Sequence, residues 1–331
     1  MKKAVYFLAI CLALSGCKAF QPSANLNHFS SYFAAPMQDS ATSIGQLKVT
    51  FFGTSTLLFD DGKSQIMVDG FFTRPSVNKV AFGKIRSNEK LIKTIIQQYH
   101  LERLKTIFVC HSHYDHGMDA PLLSKLTGAK LYGSSSTLNL GKGEKLADDA
   151  MRLFEPGKKI SIGDYRVTII NSKHTPPFKL FGKSNATDPN HPNIDEPLRQ
   201  PAHAEKYIEG GTFDVYIEHN NKRFLVKAST NYLATALQSY PCDVLFLGTA
   251  MLGIQPADFQ QQYYDETVKA TSAKMVIPIH WDNFMRPLSK PLVALPNISD
   301  NVEAGLQFLL NKTKAEHIGF RLLQKESSIL F

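Results

Sequence analysis

Basic runs, internal repeats, long apolar segments and cysteine are all scarce in this 331-residue chain, and each scarcity removes a class of protein. The formal net charge is +8, but Lys and Arg are scattered, so no basic stripe marks a nucleic-acid footprint. No nucleic-acid partner is expected. Self-similarity at solenoid spacing is absent, which excludes a repeat array. The apolar stretch Ala4–Leu14 falls short of the roughly 20 residues that a membrane-spanning helix needs. Of four cysteines, Cys11 and Cys17 lie in or just after that stretch, leaving Cys110 and Cys242 for a folded domain. Nothing pairs those two. Both read as small buried apolar residues rather than as a disulfide.

What is present is the composition of a globular protein, 43% hydrophobic and 20% charged. At the N-terminus Lys2 and Lys3 precede the apolar stretch, and Leu14-Ser15-Gly16-Cys17 closes it. This junction resembles the lipobox of bacterial lipoproteins, in which small residues admit the peptidase and the cysteine thiol takes the lipid. The resemblance implies a signal peptide over residues 1–16, acylation of Cys17 and a lipid anchor in the cell envelope. More than one acyl chain makes such attachment stable. Lys18 stands where an Asp favours inner-membrane retention, so the implied destination is the outer membrane facing the periplasm, if the cell is Gram-negative. Residues 17–46, rich in Ser, Ala, Asn and Gln with Pro22 and Pro36, read as a lipidated tether.

From residue 47 to 331 the pattern is that of one domain of strands in two sheets with helices outside, an α/β class. Strands are expected at Leu47–Phe52, Thr56–Phe59 and Gln65–Asp69, with a turn at Asp60-Asp61-Gly62. Leu91–Leu104 has helical spacing. Thr106–Cys110 is a continuous apolar run, as in a strand buried on both faces, and a helix starts at Pro121. Further strands are expected at Lys130–Tyr132, Tyr165–Ile170, Phe213–Glu218, Arg223–Val226, Val244–Leu247 and Met275–Ile279, with a helix over 256–273. Residues 176–210 have several Pro and Asn and no period. Such a long loop suggests a lid over a site, with His191 and His203 as exposed loop residues.

The chemistry concentrates in His111-Ser112-His113-Tyr114-Asp115-His116-Gly117, directly after the buried run. Imidazole and carboxylate are the donors that a borderline divalent ion accepts. In extended chain, residues i and i+2 share a side, so His111 and His113 can converge on one ion. Where the chain bends into a helix, Asp115 and His116 can turn toward a second.

This run resembles the HxHxDH signature of the metallo-β-lactamase superfamily, and further motifs follow in the family's order over about residues 47–331. Gly53-Thr54-Ser55-Thr56 with Val68-Asp69-Gly70 is similar to the family's opening hairpin and buried Asp. Asn171-Ser172-Lys173-His174-Thr175-Pro176 resembles the segment supplying a third histidine, and Ile277-Pro278-Ile279-His280-Trp281-Asp282 the one supplying the last. The resemblance implies a four-layer αββα sandwich with metals at one edge. It implies one ion on His111, His113 and His174, and another on Asp115, His116 and His280. It also implies a divalent metal, zinc or else manganese, whose bound water supplies a hydroxide near neutral pH. Asp115 would orient that hydroxide and carry its proton to the leaving group.

One departure stands out. Where many members carry a metal-bridging Asp, Phe224-Leu225-Val226-Lys227-Ala228-Ser229-Thr230 places Ser229. A neutral hydroxyl cannot offset two dications, so one ion is expected to bind firmly and a second, at Asp115, His116 and His280, more weakly. Asp282 reads as a partner fixing an imidazole from behind, or as a substitute carboxylate ligand. Within the superfamily the chain most resembles the branch of ascorbate-6-phosphate lactonase and the phospholipase D that cleaves N-acyl phosphatidylethanolamine. Gly210-Gly211-Thr212-Phe213 and Pro278-Ile279-His280-Trp281 contribute to that likeness. Three functions are thereby open. They are hydrolysis of a phosphodiester or ester-type substrate, small or lipid-derived; a lactonase or other carboxylic-ester activity; and a metal-binding envelope protein without turnover.

Overall fold

The computed structural model describes residues 18–35, 42–177, 179–180, 183–184, 188 and 190–331. The first sheet has the order β16-β1-β2-β3-β4-β5-β6. Its strands are β1 (Lys48–Gly53), β2 (Thr56–Asp60), β3 (Gln65–Val68), β4 (Leu104–Phe108), β5 (Lys130–Gly133), β6 (Met151–Leu153) and β16 (Ser327–Leu330). The second has the order β15-β14-β13-β12-β11-β8-β7. It is built from β7 (Lys159–Ile162), β8 (Tyr165–Asn171), β11 (Phe213–His219), β12 (Lys222–Lys227), β13 (Val244–Gly248), β14 (Met275–Ile279) and β15 (Gly319–Phe320). A hairpin of β9 (Lys179–Leu180) and β10 (Lys183–Ser184) stands apart.

In each sheet an antiparallel portion continues into a parallel one: β3 to β6 run parallel, as do β12 to β15. Parallel strands need crossovers, and these supply the covering helices. They are α1 (Val77–Phe82), α2 (Glu89–Gln98), α3 (Tyr114–Gly117), α4 (Ala120–Thr127), α5 (Ser135–Gly143), α6 (Ala257–Tyr264) and α7 (Val302–Ala315). Local signals start several of them. Asn88, Ser134 and Asn301 each accept a bond from the backbone N–H three residues on, and Gly128 ends α4 at φ 78°. The sheets face one another across aromatic contacts such as Phe59 with Phe224 and Phe246, at 5.6 and 6.0 Å between ring centres. Two β-sheets flanked by helices give the αββα sandwich expected from the motifs.

Cys110 and Cys242 are free and buried, as expected. The tether expectation needs correction. Residues 18–35 lie against the domain: Leu26–Tyr32 forms a 3-10 turn, Phe29 is fully buried, and Ser23 donates to the Leu295 carbonyl. Cys17 and the leader fall outside the described residues, as does part of 176–210. From residue 190 onward the supposed lid is packed rather than loose. Ile194, Ala202 and Tyr207 join Phe71, Ile85, Met118 and Leu140 in a second apolar cluster, and Ile85 pairs with Ala202 through backbone bonds. The helix expected over 256–273 is α6 followed by one wider π turn at Asp265–Lys269. No helix among the described residues is long and apolar enough to cross a membrane.

Candidate metal centre

The candidate ligands sit on segments that leave the C-terminal ends of strands, with Asp115 and His116 in the short helix α3. His111 follows β4, His174 follows β8 and His280 follows β14, so the fold delivers distant sequence segments to one edge. The loop after β4 is pinned at both flanks. The Cys110 N–H donates to Asp69 Oδ1 at 2.8 Å, and the Ser112 N–H donates to the Glu209 carbonyl at 2.8 Å. The Ser112 hydroxyl contacts Thr137 Oγ1 of α5 at 2.9 Å. The imidazoles of His111 and His113 instead meet at 4.9 Å between ring centres, as the i, i+2 argument requires.

The structure gathers the six expected ligands into two triads, His111–His113–His174 and Asp115–His116–His280. In the first, ring centres lie 4.7–4.9 Å apart. In the second, His116 Nε2 is 3.2 Å from His280 Nε2 and 3.7 Å from Asp115 Oδ2, and His280 Nε2 is 3.4 Å from Asp115 Oδ2. Donors held tetrahedrally at about 2.0–2.1 Å from an ion stand about 3.3–3.4 Å apart, so this triad has the spacing of a coordination shell. The triads adjoin, since the rings of His111 and His116 lie 3.8 Å apart.

Electrostatics agree with that use. Burial, then the neighbouring imidazoles, holds His111 well below the ordinary histidine value and pushes His113 down to about 3. Burial lowers His174 as well. These rings are neutral and their lone pairs free, the form that binds metal. Burial by itself would raise the Asp115 carboxyl, but His116 and His280 outweigh it and hold it below its ordinary value. Burial likewise opposes charge on His116, and Asp69 with Asp115 overrides it. His111 Nδ1 and His280 Nδ1 are buried without a hydrogen-bond partner.

Support for the second triad comes from residues behind it. His116 Nδ1 lies 2.8 Å from Asp69 Oδ2 and 2.9 Å from Ser55 Oγ, while Ser55 donates to the same Asp69 oxygen. That arrangement fixes the ring with Nε2 directed to the ion site. Asp282 takes neither of its expected roles. Its oxygens accept from the Thr54 N–H at 2.7 Å and pair with Arg74 Nη1 at 2.7 Å, with both side chains fully buried. Both oxygens are thereby committed to Thr54 and Arg74 rather than offered to an imidazole or an ion. Gly53 is obligatory here: at φ +93° a Cβ would stand 2.0 Å from Arg74 Nη2. Thr54, Asp69, Arg74 and His280 also have positive φ, between 48° and 61°. Such strain costs on the order of 1–3 kcal/mol per residue and collects where geometry is imposed.

Ser229 is buried and sits on the turn after β12, where Asn231 Nδ2 donates to the His174 carbonyl at 2.7 Å. Two residues earlier, buried Lys227 bonds to Ser172 Oγ at 2.8 Å and to Asp214 at 3.0 Å, tying β12 to the segment that carries His174. His191 and His203 are exposed and join neither triad. Arg74, Asp119, Asp214 and Lys227 went unnoticed in the sequence. Each acts through partners 13 to 209 positions away, and no spacing rule reaches that far.

The sandwich with metal donors at one edge is the metallo-β-lactamase fold. A model of the metallo-β-lactamase superfamily matches residues 49–205. Among curated proteins, the chain is similar to a metal-dependent hydrolase of the UPF0173 group from Cupriavidus necator. The identity is 25% over 194 residues, or 57% of this chain and 60% of that one. The chain thus spans less than two thirds of that relative. Among solved structures it resembles a possible metal-dependent hydrolase from Veillonella parvula, at TM-score 0.53 and 12% identity, covering 87% of this chain and 99% of that one. It also resembles Igni18, a metallo hydrolase from Ignicoccus hospitalis, at TM-score 0.51 and 15% identity, covering 86% and 98%. At such identities the structural likeness concerns the fold alone.

Proposed function

We propose that this chain is a metal-dependent hydrolase acting on a phosphodiester or ester-type substrate, held in the cell envelope by a lipid on Cys17. The observation that carries the reading is the convergence of Asp115, His116 and His280 at ligand spacing beside a triad of neutral imidazoles. The donor set suits zinc, with manganese the alternative. Divalent ions bound there would bring the pKa of water toward neutrality and polarise a carbonyl or phosphoryl oxygen. Without a carboxylate at Ser229, one ion is held firmly and the other more weakly.

The chain's own groups have defined tasks. Asp115, kept anionic, accepts a proton and passes it to the leaving group. Asp69 keeps the proton of His116 on Nδ1. Tyr114 and Phe284, both half-buried, form an aromatic flank against His280, with Phe284 and His280 5.4 Å apart. An apolar wall beside the carboxylate suits a substrate with a hydrocarbon portion, in keeping with a membrane-tethered enzyme. No nucleic-acid partner is invoked.

The test is turnover of purified protein with added Zn²⁺ or Mn²⁺ on bis-(p-nitrophenyl) phosphate, p-nitrophenyl carboxylic esters and simple lactones. Hydrolysis of the phosphodiester, lost in Asp115→Asn, is expected. Activity on esters or lactones alone would move the assignment to a carboxylic-ester hydrolase. Bound metal with no turnover on any substrate would leave a metal-binding envelope protein.

A further inference from the structure

The second triad is completed from the far side of the molecule. His280 ends β14 in the second sheet, whereas Asp115 and His116 follow β4 in the first. Something must hold the His280 turn against the first sheet at ligand spacing: the His280 Nε2 faces Asp115 and His116 across the ion site, and its Nδ1 is unpartnered. The connection is made through the backbone. The His280 N–H donates to the Thr54 carbonyl at 2.6 Å, and the Thr54 N–H donates to Asp282 Oδ1 at 2.7 Å. Thr54 and His280 both have positive φ, 53° and 59°, so neither turn relaxes into this shape unaided.

Arg74 closes the arrangement. Its Nη1 pairs with Asp282 Oδ2 at 2.7 Å and lies 3.4 Å from the Asn283 carbonyl. Its Nη2 donates to the Phe52 carbonyl at 3.2 Å and lies 3.4 Å from Thr54 Oγ1. One planar guanidinium therefore binds the β1–β2 turn and the turn after β14 at once, a span that a single ammonium cannot match. Arg74 also ends the segment that begins with Asp69, the residue holding His116. Asp119 fixes the middle of that segment, accepting from the N–H groups of Phe72 and Thr73 at 2.8 and 2.7 Å. Two of the three ligands of one triad thus depend on a single stretch, Asp69–Arg74.

We propose that Arg74 is a positioning residue for the Asp115–His116–His280 ion. By clamping Asp282 and the Thr54 turn, it sets the distance of His280 from the other two ligands, and it has no part in the His111–His113–His174 ion. The proposal rests on the metal reading of the two triads.

Metal content after equilibrium dialysis against graded Zn²⁺ tests it on the full chain, for wild type, Arg74→Met, Arg74→Lys, His113→Ala and the Arg74→Met/His113→Ala pair. Arg74→Met should hold one ion fewer, with binding of that ion weakened about 10- to 100-fold, as for other groups behind a ligand. Arg74→Lys should recover part of the loss. His113→Ala should keep one ion and the double variant none, because the substitutions strike different triads. Should Arg74→Met fail to fold, Arg74→Met/Asp282→Leu removes both buried charges, and the folded product should show the same selective loss. A folded Arg74→Met with wild-type metal content would overturn the proposal. So would a double variant retaining as much metal as His113→Ala alone. Wild type without any bound ion would overturn the metal reading, and that result is visible before any variant is compared.

Discussion

On the proposed metal reading, Ser229 replaces a bridging carboxylate, and Asp115 is the one carboxylate among the six candidate ligands. Ser229→Asp should tighten the weaker ion by adding the negative charge that the proposed site lacks, and a metal titration of the two proteins should show the midpoint shift. An unchanged titration would mean that another group already supplies the charge. That group is not Asp282, whose oxygens are taken by Thr54 and Arg74. Another buried carboxylate sets a pH dependence. Burial raises Asp300 to about 6, against hydrogen bonds from Met251 and Asn301. The folded chain thus keeps a proton that the unfolded chain has lost, and this group's contribution to stability falls as pH rises from about 4 to 6, then levels. Asp300→Asn has no such proton. Its stability relative to wild type should climb across that window by on the order of 2–3 kcal/mol, read from urea unfolding at several pH values. The candidate ligands themselves were legible in the sequence, since one motif and two single histidines announce them. Their supports were not, because Arg74 and Lys227 look like any other basic residue until the fold brings them to Asp282 and Asp214.

Elements buried on both faces declare themselves by composition. Met275–Ile279 coincides with β14, and the apolar run at 106–110 overlaps β4. Elements that borrow their stability from neighbours do not. α5 carries Gly141 and Gly143 and has little intrinsic helical preference; β16 is a four-residue edge strand that exists by pairing with β1. The N-terminal segment failed for the same reason. Its Ser, Asn and Gln suggest a linker, yet Phe29 enters the core and Ser23 caps contacts at 295 and 302. Phe29→Ala should destabilise the domain by about 3–5 kcal/mol, the cost of a large aromatic cavity, with a lower urea midpoint. A change under about 0.5 kcal/mol would restore the tether description for residues 18–35.

In the molecule as a whole, the proposed lipid on Cys17 would tether a two-sheet sandwich whose candidate metal edge carries an aromatic flank. Cys17→Ala should abolish incorporation of labelled fatty acid into the protein, with label present in wild type. Wild-type protein without label would separate the proposed hydrolase from the membrane. The two triads are proposed to hold the ions that drive hydrolysis. Turnover of the best substrate in the panel, measured after removal of metal by chelation and dialysis and again after return of Zn²⁺ or Mn²⁺, tests this. Activity should fall by on the order of a hundredfold or more and return with the metal, and His113→Ala should remain low at every metal concentration. Turnover that survives complete metal removal, or that His113→Ala leaves intact, would contradict it.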